Sequence, residues 1–320
     1  MEEPITHGND WASPGGSSGG ASAAVMSGMG SLAHGNDIAG SLRIPSTATG
    51  ACTVKPGLGR VPAYNPSQTQ ERGLIAQLMS VQGVIAREIK DVRLGMQSLI
   101  NYDPRDPWMV DMPFQSKEIK APIKVGFTKE TLGEPIHPAI NKALENAIDA
   151  LKDAGYVLEE VELPEFKDAA NFSAKTLFGE IKALHEKDYK TLGSKNFNLV
   201  AENYFKIISP FEGEDLLLGM AKRSYFFREW NIFFRKYPLV LTPFLLYPTY
   251  EWNRDTQGIE GTKEVLAGMF YAHTMNYMGI PAGVVSANYN EGLPVGVQII
   301  STRFREDIIL KACEEIEKRV

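Results

Sequence analysis

Residues 14 to 60 read PGGSSGGASAAVMSGMGSLAHGNDIAGSLRIPSTATGACTVKPGLGR, the most unusual segment of the sequence. Its first seven residues, taken alone, are typical of a flexible Gly/Ser linker. They are not a phosphate-binding P-loop, because no Gly-Lys-Ser/Thr comes after them. They are not a dinucleotide-binding fingerprint either, because no strand precedes the glycines. The function of the segment therefore depends on the residues beyond Gly20.

A second motif, GNDIAGSLRIP, occupies residues 35 to 45 and carries another serine. Ser17 and Ser41 are separated by the segment 18–40. This segment is long enough for one short helix, which we predict over 22–29, and one strand, which we predict over 31–35. Such a helix and strand would let the chain fold back and bring the two serines together.

The rest of the chain alternates between the periodicities of helices and strands. Strands are predicted over residues 123–127, 156–163, 239–243, 282–286 and 295–300. Helices are predicted over residues 86–100, 137–154, 261–278 and 305–319, with a mostly helical segment over 165–237. This alternation implies an α/β fold with a mixed or parallel sheet. No linker clearly divides the chain, so we expect residues 1–320 to form a single domain.

Composition narrows the class of protein further. The 320 residues are 43% hydrophobic, which is normal for a packed core, and the formal net charge is −6. That charge gives no general affinity for nucleic acid or for an anionic membrane. Cys52 and Cys313 cannot build a disulfide framework, which indicates a reducing compartment. Because no transmembrane or signal segment is evident, we expect a cytoplasmic protein that binds neither nucleic acid nor membrane.

With both serine motifs in view, the sequence resembles the amidase signature family of serine hydrolases. The resemblance lies in PGGSSGG at 14–20, AHGNDIAGSLRIP at 33–45 and VKPGLGRVP at 54–62, and in the spacing of the two serines. Weaker similarity continues through NYMGIPA at 276–282 and GLPVGVQII at 292–300. The resemblance implies a mixed β-sheet core flanked by α-helices. It also implies hydrolysis of a small carboxylic amide through a serine acyl-enzyme, with no metal and no cofactor.

The resemblance implies roles for individual residues. Ser41 matches the nucleophile, and Ser17 matches a bridging serine held on a cis peptide bond. The oxyanion hole is matched by the backbone N–H groups of Ile38, Ala39, Gly40 and Ser41. Gly16, Ser18, Asp37 and Arg43 match the residues that hold the two serine loops in shape.

These residue types suit those roles. A serine hydroxyl attacks well only when a base takes its proton, and Ser17 can relay that proton. One oxyanion donor lowers a barrier by about 2.7–4 kcal/mol. Ala39 stands where the family usually has glycine, so its N–H is kept but a positive φ would be strained.

The base is the missing part of the pattern. The resemblance implies a lysine several dozen residues before the bridging serine, but none of residues 1–16 is lysine. The first lysine is Lys55, which matches the Lys-Pro after the serine loop, and the sequence does not predict the burial that a base would need. We therefore expect the C-terminal portion of an amidase, without the upstream segment that carries the catalytic lysine, and with impaired activity.

Two other functions stay open at this point. The chain could be a non-catalytic remnant that binds a ligand or partner, or a protein similar to the A subunit of an amidotransferase. The expected substrate is a small-molecule amide. The expected partner is either a second copy, in a homodimer, or a complementing N-terminal segment. His34 lies seven positions before Ser41, and we favour a place for it on the strand or loop beneath the site over a Ser-His pair.

Overall fold

One mixed sheet of eight strands runs through the computed structural model, which describes residues 11–320. The strands are β1 (Leu32–Asp37), β2 (Cys52–Lys55), β3 (Val81–Ala86), β4 (Lys124–Phe127), β5 (Val157–Glu160), β6 (Leu239–Pro243), β7 (Ala282–Asn290) and β8 (Leu293–Ile300). Their order across the sheet is β1-β3-β2-β7-β8-β6-β4-β5. Strand β4 is parallel to β5 and β6, and the other neighbouring pairs are antiparallel. The α/β fold with a mixed sheet flanked by helices is thus confirmed.

Eleven α-helices accompany the sheet within the described residues. They are α1 (Gly19–Met26), α2 (Arg43–Thr49), α3 (Leu74–Met79), α4 (Ile89–Leu99), α5 (Pro138–Asp153), α6 (Phe166–Leu192), α7 (Lys195–Ile208), α8 (Gly213–Phe234), α9 (Gly258–Ala267), α10 (Phe270–Met278) and α11 (Glu306–Glu317). A single turn of 3₁₀ helix, Arg254–Thr256, precedes α9. Within the part of the chain that the structure describes, no helix is both long and apolar enough to cross a membrane.

The sheet separates two large apolar cores. Alternate residues of β6 point to opposite faces, so Leu239 and Leu241 pack in one core while Val240 packs in the other. The first core contains buried residues of α4, α5 and α11, and the second contains buried residues of α3, α6, α8 and α10. The second serine motif lies on the same side of the sheet as the second core. Its Ile44 packs against Ala272 of α10, a helix that also contributes to that core.

Local sequence explains why the long helices form where they do. Helix α5 begins with proline in its first turn, and the His137 ring accepts a hydrogen bond from the Ala139 N–H at 3.2 Å. Its buried face repeats at helical spacing through Ile140, Leu144 and Leu151.

Two elements differ from the sequence-based prediction. The helix predicted over 86–100 is present but shorter: strand β3 ends at Ala86, and helix α4 begins only at Ile89 and ends at Leu99. Pairing with both β1 and β2 stabilises the strand conformation, and local periodicity does not report such pairing. The single helix predicted over 261–278 is instead two helices, α9 and α10, with a break at Gly268 and Met269.

Candidate active site

The two serine motifs meet at one cavity of about 440 Å³. Ser17 and Ser41 both line it, Ser17 exposed and Ser41 half-buried. A backbone hydrogen bond from the Ser18 N–H to the Ser41 carbonyl, at 3.1 Å, joins the two motifs directly. Both serines lie within the described residues, and their hydroxyls are not hydrogen-bonded to each other. The fold-back between the motifs is made by α1 and β1, close to the predicted helix and strand.

The first motif approaches the cavity through an unusual backbone. Gly15 has a φ of +72°, and a Cβ there would lie 2.8 Å from Cγ2 of Ile44. Only glycine combines that φ with so close an approach. The peptide bond between Gly16 and Ser17 is cis, as the family resemblance implies.

The second motif is a tight loop between β1 and α2, organised by the carboxylate of Asp37. Asp37 Oδ1 accepts the Gly40 N–H at 2.7 Å, and Oδ2 accepts the Leu42 N–H at 3.3 Å. The positive φ in this loop, +112°, belongs to Gly40. The strain considered for Ala39 therefore does not arise, because its φ is not positive.

Free backbone donors surround Ser41. The N–H groups of Ile38, Ala39 and Ser41 make no hydrogen bond to any residue in 11–320, whereas the Gly40 N–H is bound by Asp37. Three of the four N–H groups matched to an oxyanion hole are thus available to a ligand. Successive backbone N–H groups in a turn can form an anion-binding concavity, and these three half-buried N–H groups lie around one serine.

An ion pair beneath the loop fixes its shape. Arg43 Nε lies 3.0 Å from Asp37 Oδ2, and both side chains are fully buried. Burial alone would raise the pKa of Asp37, but the charge and hydrogen bonds of Arg43 outweigh it and hold that pKa below its usual value. The carboxylate therefore stays ionised and keeps its hold on the loop.

Two polar residues complete this network, and the sequence analysis assigned them no role. Arg43 also donates to the side-chain oxygens of Asn276 and Gln298. Asn276 Nδ2 in turn donates to Asp37, both to its carbonyl and to its carboxylate. Both residues lie in the segments of weaker similarity, NYMGIPA and GLPVGVQII, which was the one available signal.

The remaining cavity wall comes from the C-terminal half of the chain. It combines apolar and aromatic side chains with a polar end: Tyr204, Leu245, Tyr250, Val265 and Met269, then Glu251, Arg254 and Asp255. Within residues 11–320, no group of three or more His, Cys, Asp or Glu side chains could hold a metal ion. His34 lies on β1 opposite Val84 and does not line the cavity.

The burial of Lys55 is not expected from the sequence. Nothing in the sequence predicts its burial, but its side chain is fully buried at the end of β2. Burial, together with the nearby charge of Arg43, lowers the pKa of Lys55 to about 7. Within residues 11–320, the one hydrogen bond of its side chain runs from Nζ to the Pro56 carbonyl at 2.9 Å. Lys55 does not line the serine cavity.

A family model and two curated proteins match almost the whole described chain. The family model Amidase matches residues 7–310. The chain is 39% identical over 306 residues to an indoleacetamide hydrolase of Bradyrhizobium diazoefficiens, covering 95% of this chain and 58% of that protein. It is 27% identical to the A subunit of a glutamyl-tRNA(Gln) amidotransferase of Methanosarcina mazei, covering 95% of this chain and 68% of that one.

A solved structure supports the fold. A bacterial aryl acylamidase of the amidase signature family superposes with a TM-score of 0.76 at 24% identity, covering all of this chain and 68% of that chain. At this identity the likeness concerns the fold. The chain spans little more than half the length of the indoleacetamide hydrolase that it matches. Because the family model covers nearly all of the 320 residues and the two serine motifs meet at one cavity, the chain belongs to the amidase family.

Proposed function

We propose that the chain hydrolyses the carbon–nitrogen bond of a small carboxylic amide, with Ser41 as the nucleophile. In this mechanism the Ser41 oxygen attacks the amide carbonyl, and the carbonyl oxygen becomes an oxyanion. Ser17 takes the Ser41 proton and passes its own proton on to the base. The amine then leaves with a proton, and water releases the acid from the acyl-enzyme.

The observation that carries this proposal is the set of free N–H groups at Ile38, Ala39 and Ser41. A developing oxyanion at the Ser41 loop would find donors that no other group in residues 11–320 uses. Gly40 matches the same role by resemblance, but its N–H is bound by Asp37. We therefore assign the oxyanion to Ile38, Ala39 and Ser41, and assign Gly40 to the shape of the loop.

The walls of the cavity favour an aromatic or apolar acyl group. Tyr204, Tyr250 and Met269 offer flat or adaptable apolar surface to such a group. A volume of about 440 Å³ suits a small substrate. The name of the Bradyrhizobium relative, indoleacetamide hydrolase, agrees with this choice, and we propose a small arylacetamide as the substrate.

The mechanism also needs a base at Ser17. We propose that a complementing N-terminal segment supplies the lysine that the resemblance implies. Strand β1 is an edge of the sheet, so it can accept a further strand. It also lies next to the first serine motif, since a Cβ on Gly35 would be 2.7 Å from Oγ of Ser18, the residue after Ser17. A homodimer is the other form of partner, and light scattering distinguishes it.

We further propose a cytoplasmic location. Cys52 and Cys313 are both buried free thiols, and free buried thiols fit a reducing compartment.

The test is ammonia release from indole-3-acetamide, measured for the chain alone and with the N-terminal part of the Bradyrhizobium relative added as a separate polypeptide. Loss of one triad member costs roughly 10⁴ to 10⁶ in rate, so we expect little turnover alone and a large increase after addition. Ser41→Ala should abolish the gained activity. The matched control is Ser46→Ala, on α2 and outside the cavity lining, which should retain it.

Two results would contradict these proposals separately. Fast, Ser41-dependent turnover by the chain alone would remove the need for a supplied base. Failure of a fluorophosphonate probe to label Ser41 in the complemented protein would remove the catalytic assignment itself. In that case the similarity to the amidotransferase of Methanosarcina mazei would favour a role in binding or assembly, and co-purification with a partner protein would test it.

A further inference from the structure

A second cavity, of about 400 Å³, lies among the ends of helices α6, α7, α9 and α10. Most of its lining is apolar and includes Leu132, Ala174, Phe178, Ile208, Leu266 and Phe270. Charged side chains of both signs lie at its rim, namely Lys167, Lys175 and Lys263 with Glu134 and Asp168. Cavities of this size and lining, between helices, are typical binding places for small apolar molecules.

The second cavity is distinct from the serine cavity. The two share no lining residue, and the segment from α9 to α10 forms a wall between them. Val265 and Met269 face the serine cavity, whereas Leu266, Ala267 and Phe270 face the second one. A ligand in the second cavity would therefore not occupy the position of an amide at Ser41.

One polar ring contributes to the lining of the second cavity. His273, on α10, lines it, and its Nδ1 lies 3.0 Å from the hydroxyl oxygen of Ser173, which is fully buried on α6. The same hydroxyl donates to the backbone carbonyl of His273 at 2.9 Å. A serine hydroxyl has one proton to donate, and here the carbonyl receives it. We therefore assign the ring proton to Nδ1, which donates it to Ser173, because this assignment satisfies both contacts.

This arrangement fixes the chemistry of the other ring nitrogen. With the proton on Nδ1, a neutral imidazole presents Nε2 as a hydrogen-bond acceptor. Burial, together with the charge of Arg43, lowers the pKa of His273 to about 4, so the ring is neutral near pH 7. No group within residues 11–320 donates to Nε2. An apolar cavity thus contains a single histidine acceptor that the described part of the protein leaves unused.

We propose that this second cavity binds a small, neutral, largely apolar molecule that carries one N–H or O–H donor, with the donor on His273 Nε2. The apolar walls provide most of the affinity, since burial of apolar surface is favourable in proportion to its area. The histidine provides the selectivity, because an apolar ligand without a donor leaves a buried acceptor unpaired.

The experiment uses indole, which is neutral and carries one N–H, and 1-methylindole, which lacks that donor. Dissociation constants are measured by isothermal titration calorimetry on the 320-residue chain near pH 7. We expect indole to bind at least about tenfold more tightly than 1-methylindole, the ratio that one unpaired buried acceptor implies. Addition of indole should also shift the ¹⁵N resonance of His273 Nε2.

Matched variants on α9 assign the binding to one cavity. Ala267→Phe fills the second cavity and should weaken indole binding at least about tenfold, while Val265→Phe enters the serine cavity and should change it less than twofold. Ala174→Leu, on α6, is a second filling variant if Ala267→Phe lowers the melting temperature strongly. The proposal is wrong if both indoles bind equally. It is also wrong if neither binds below millimolar concentration, or if Val265→Phe removes binding and Ala267→Phe does not.

Discussion

Two buried ion pairs in this protein are nearly identical in distance and burial, yet they stabilise different kinds of structure. Asp37–Arg43 and Arg60–Glu306 each have an N···O distance of 3.0 Å, and all four side chains are 0–1% exposed. In the first pair, Asp37 binds the N–H groups of the loop that immediately follows it in the chain. In the second pair, Glu306 binds the Gly57 N–H, which lies 249 positions away along the chain.

The arginines of the two pairs also differ in the groups to which they donate hydrogen bonds. Arg43 donates mainly to side chains and so fixes the loop that carries Ser41. Arg60 donates to the backbone carbonyls of Met112, Pro113 and Phe304, and so holds separate chain segments together. Burial and distance therefore do not reveal what an ion pair is for. The atoms that satisfy its remaining hydrogen bonds do.

The largest expected effect comes from removing either arginine. Arg43→Met and Arg60→Met each leave a carboxylate buried without its cation, which costs about 3–5 kcal/mol. Urea unfolding followed by circular dichroism measures the loss, and the two variants should agree within about 1 kcal/mol. A loss below about 1 kcal/mol in either variant would mean that its carboxylate reaches water.

The next effect tests Lys55, whose pKa responds to charges of both pairs, namely Arg43, Asp37 and Glu306. The native state holds Lys55 with a pKa of about 7, below its ordinary value of 10.5. Between these values the unfolded chain binds more protons, so the contribution of Lys55 to stability rises with pH and is lowest below pH 7.

Lys55→Met should therefore stabilise the protein near pH 6.5, by at least about 1 kcal/mol, which is less than one pKa unit of proton linkage. The gain should shrink steadily towards pH 10. The measurement is the difference in urea unfolding free energy between variant and parent at pH 6.5, 8 and 9.5. A gain that is constant with pH would show that Lys55 titrates normally.

A smaller effect separates the roles of the two carboxylates. Asp37→Asn should speed hydrogen exchange of the Gly40 amide roughly tenfold, because a charge-assisted hydrogen bond becomes a weaker neutral one. Glu306→Gln should do the same at the Gly57 amide. In each variant, exchange at the amide that lost its charged acceptor should rise about tenfold more than exchange at the other amide, as measured by ¹H–¹⁵N spectra in D₂O. Equal loosening of both loops by one variant would show that the pairs act as one unit.

The smallest expected effect is the loss of stability on removing a more exposed ion pair. Lys190 Nζ lies 2.6 Å from Glu186 Oε1 on α6, and the two side chains are 54% and 38% exposed. Lys190→Ala should cost no more than about 0.5 kcal/mol in the same urea experiment. A larger loss would mean that distance alone predicts the strength of an ion pair, whatever its burial.

Sequence reasoning succeeds where the signal is local. Helices α5 and α11 show their apolar face within the helix itself, and the two serine motifs lie close together in the sequence. It fails where partners are distant. No strand is predicted over β3, whose pairing partners lie elsewhere in the chain.

The polar network shows the same limit. Asn276 and Gln298 receive no role from sequence because Arg43, which they bind, lies 233 and 255 positions away from them. The burial of Lys55 is equally hard to foresee, because lysine is normally exposed. In both cases the deciding contact belongs to the tertiary fold and leaves no mark on the neighbouring sequence.

The span of the Arg43 hydrogen bonds has a consequence for biosynthesis. Arg43 contacts residues 229, 233 and 255 positions further along the chain, so the serine loop gains the last of these distant supports only when strand β8 is in place. A nascent chain that has exposed both serines still lacks Asn276 and Gln298. Contacts of such sequence separation form late and slowly. During synthesis, the Ser41 loop has its local contacts to Asp37 early, but it lacks the supports from Asn276 and Gln298 until the chain has been made as far as Gln298.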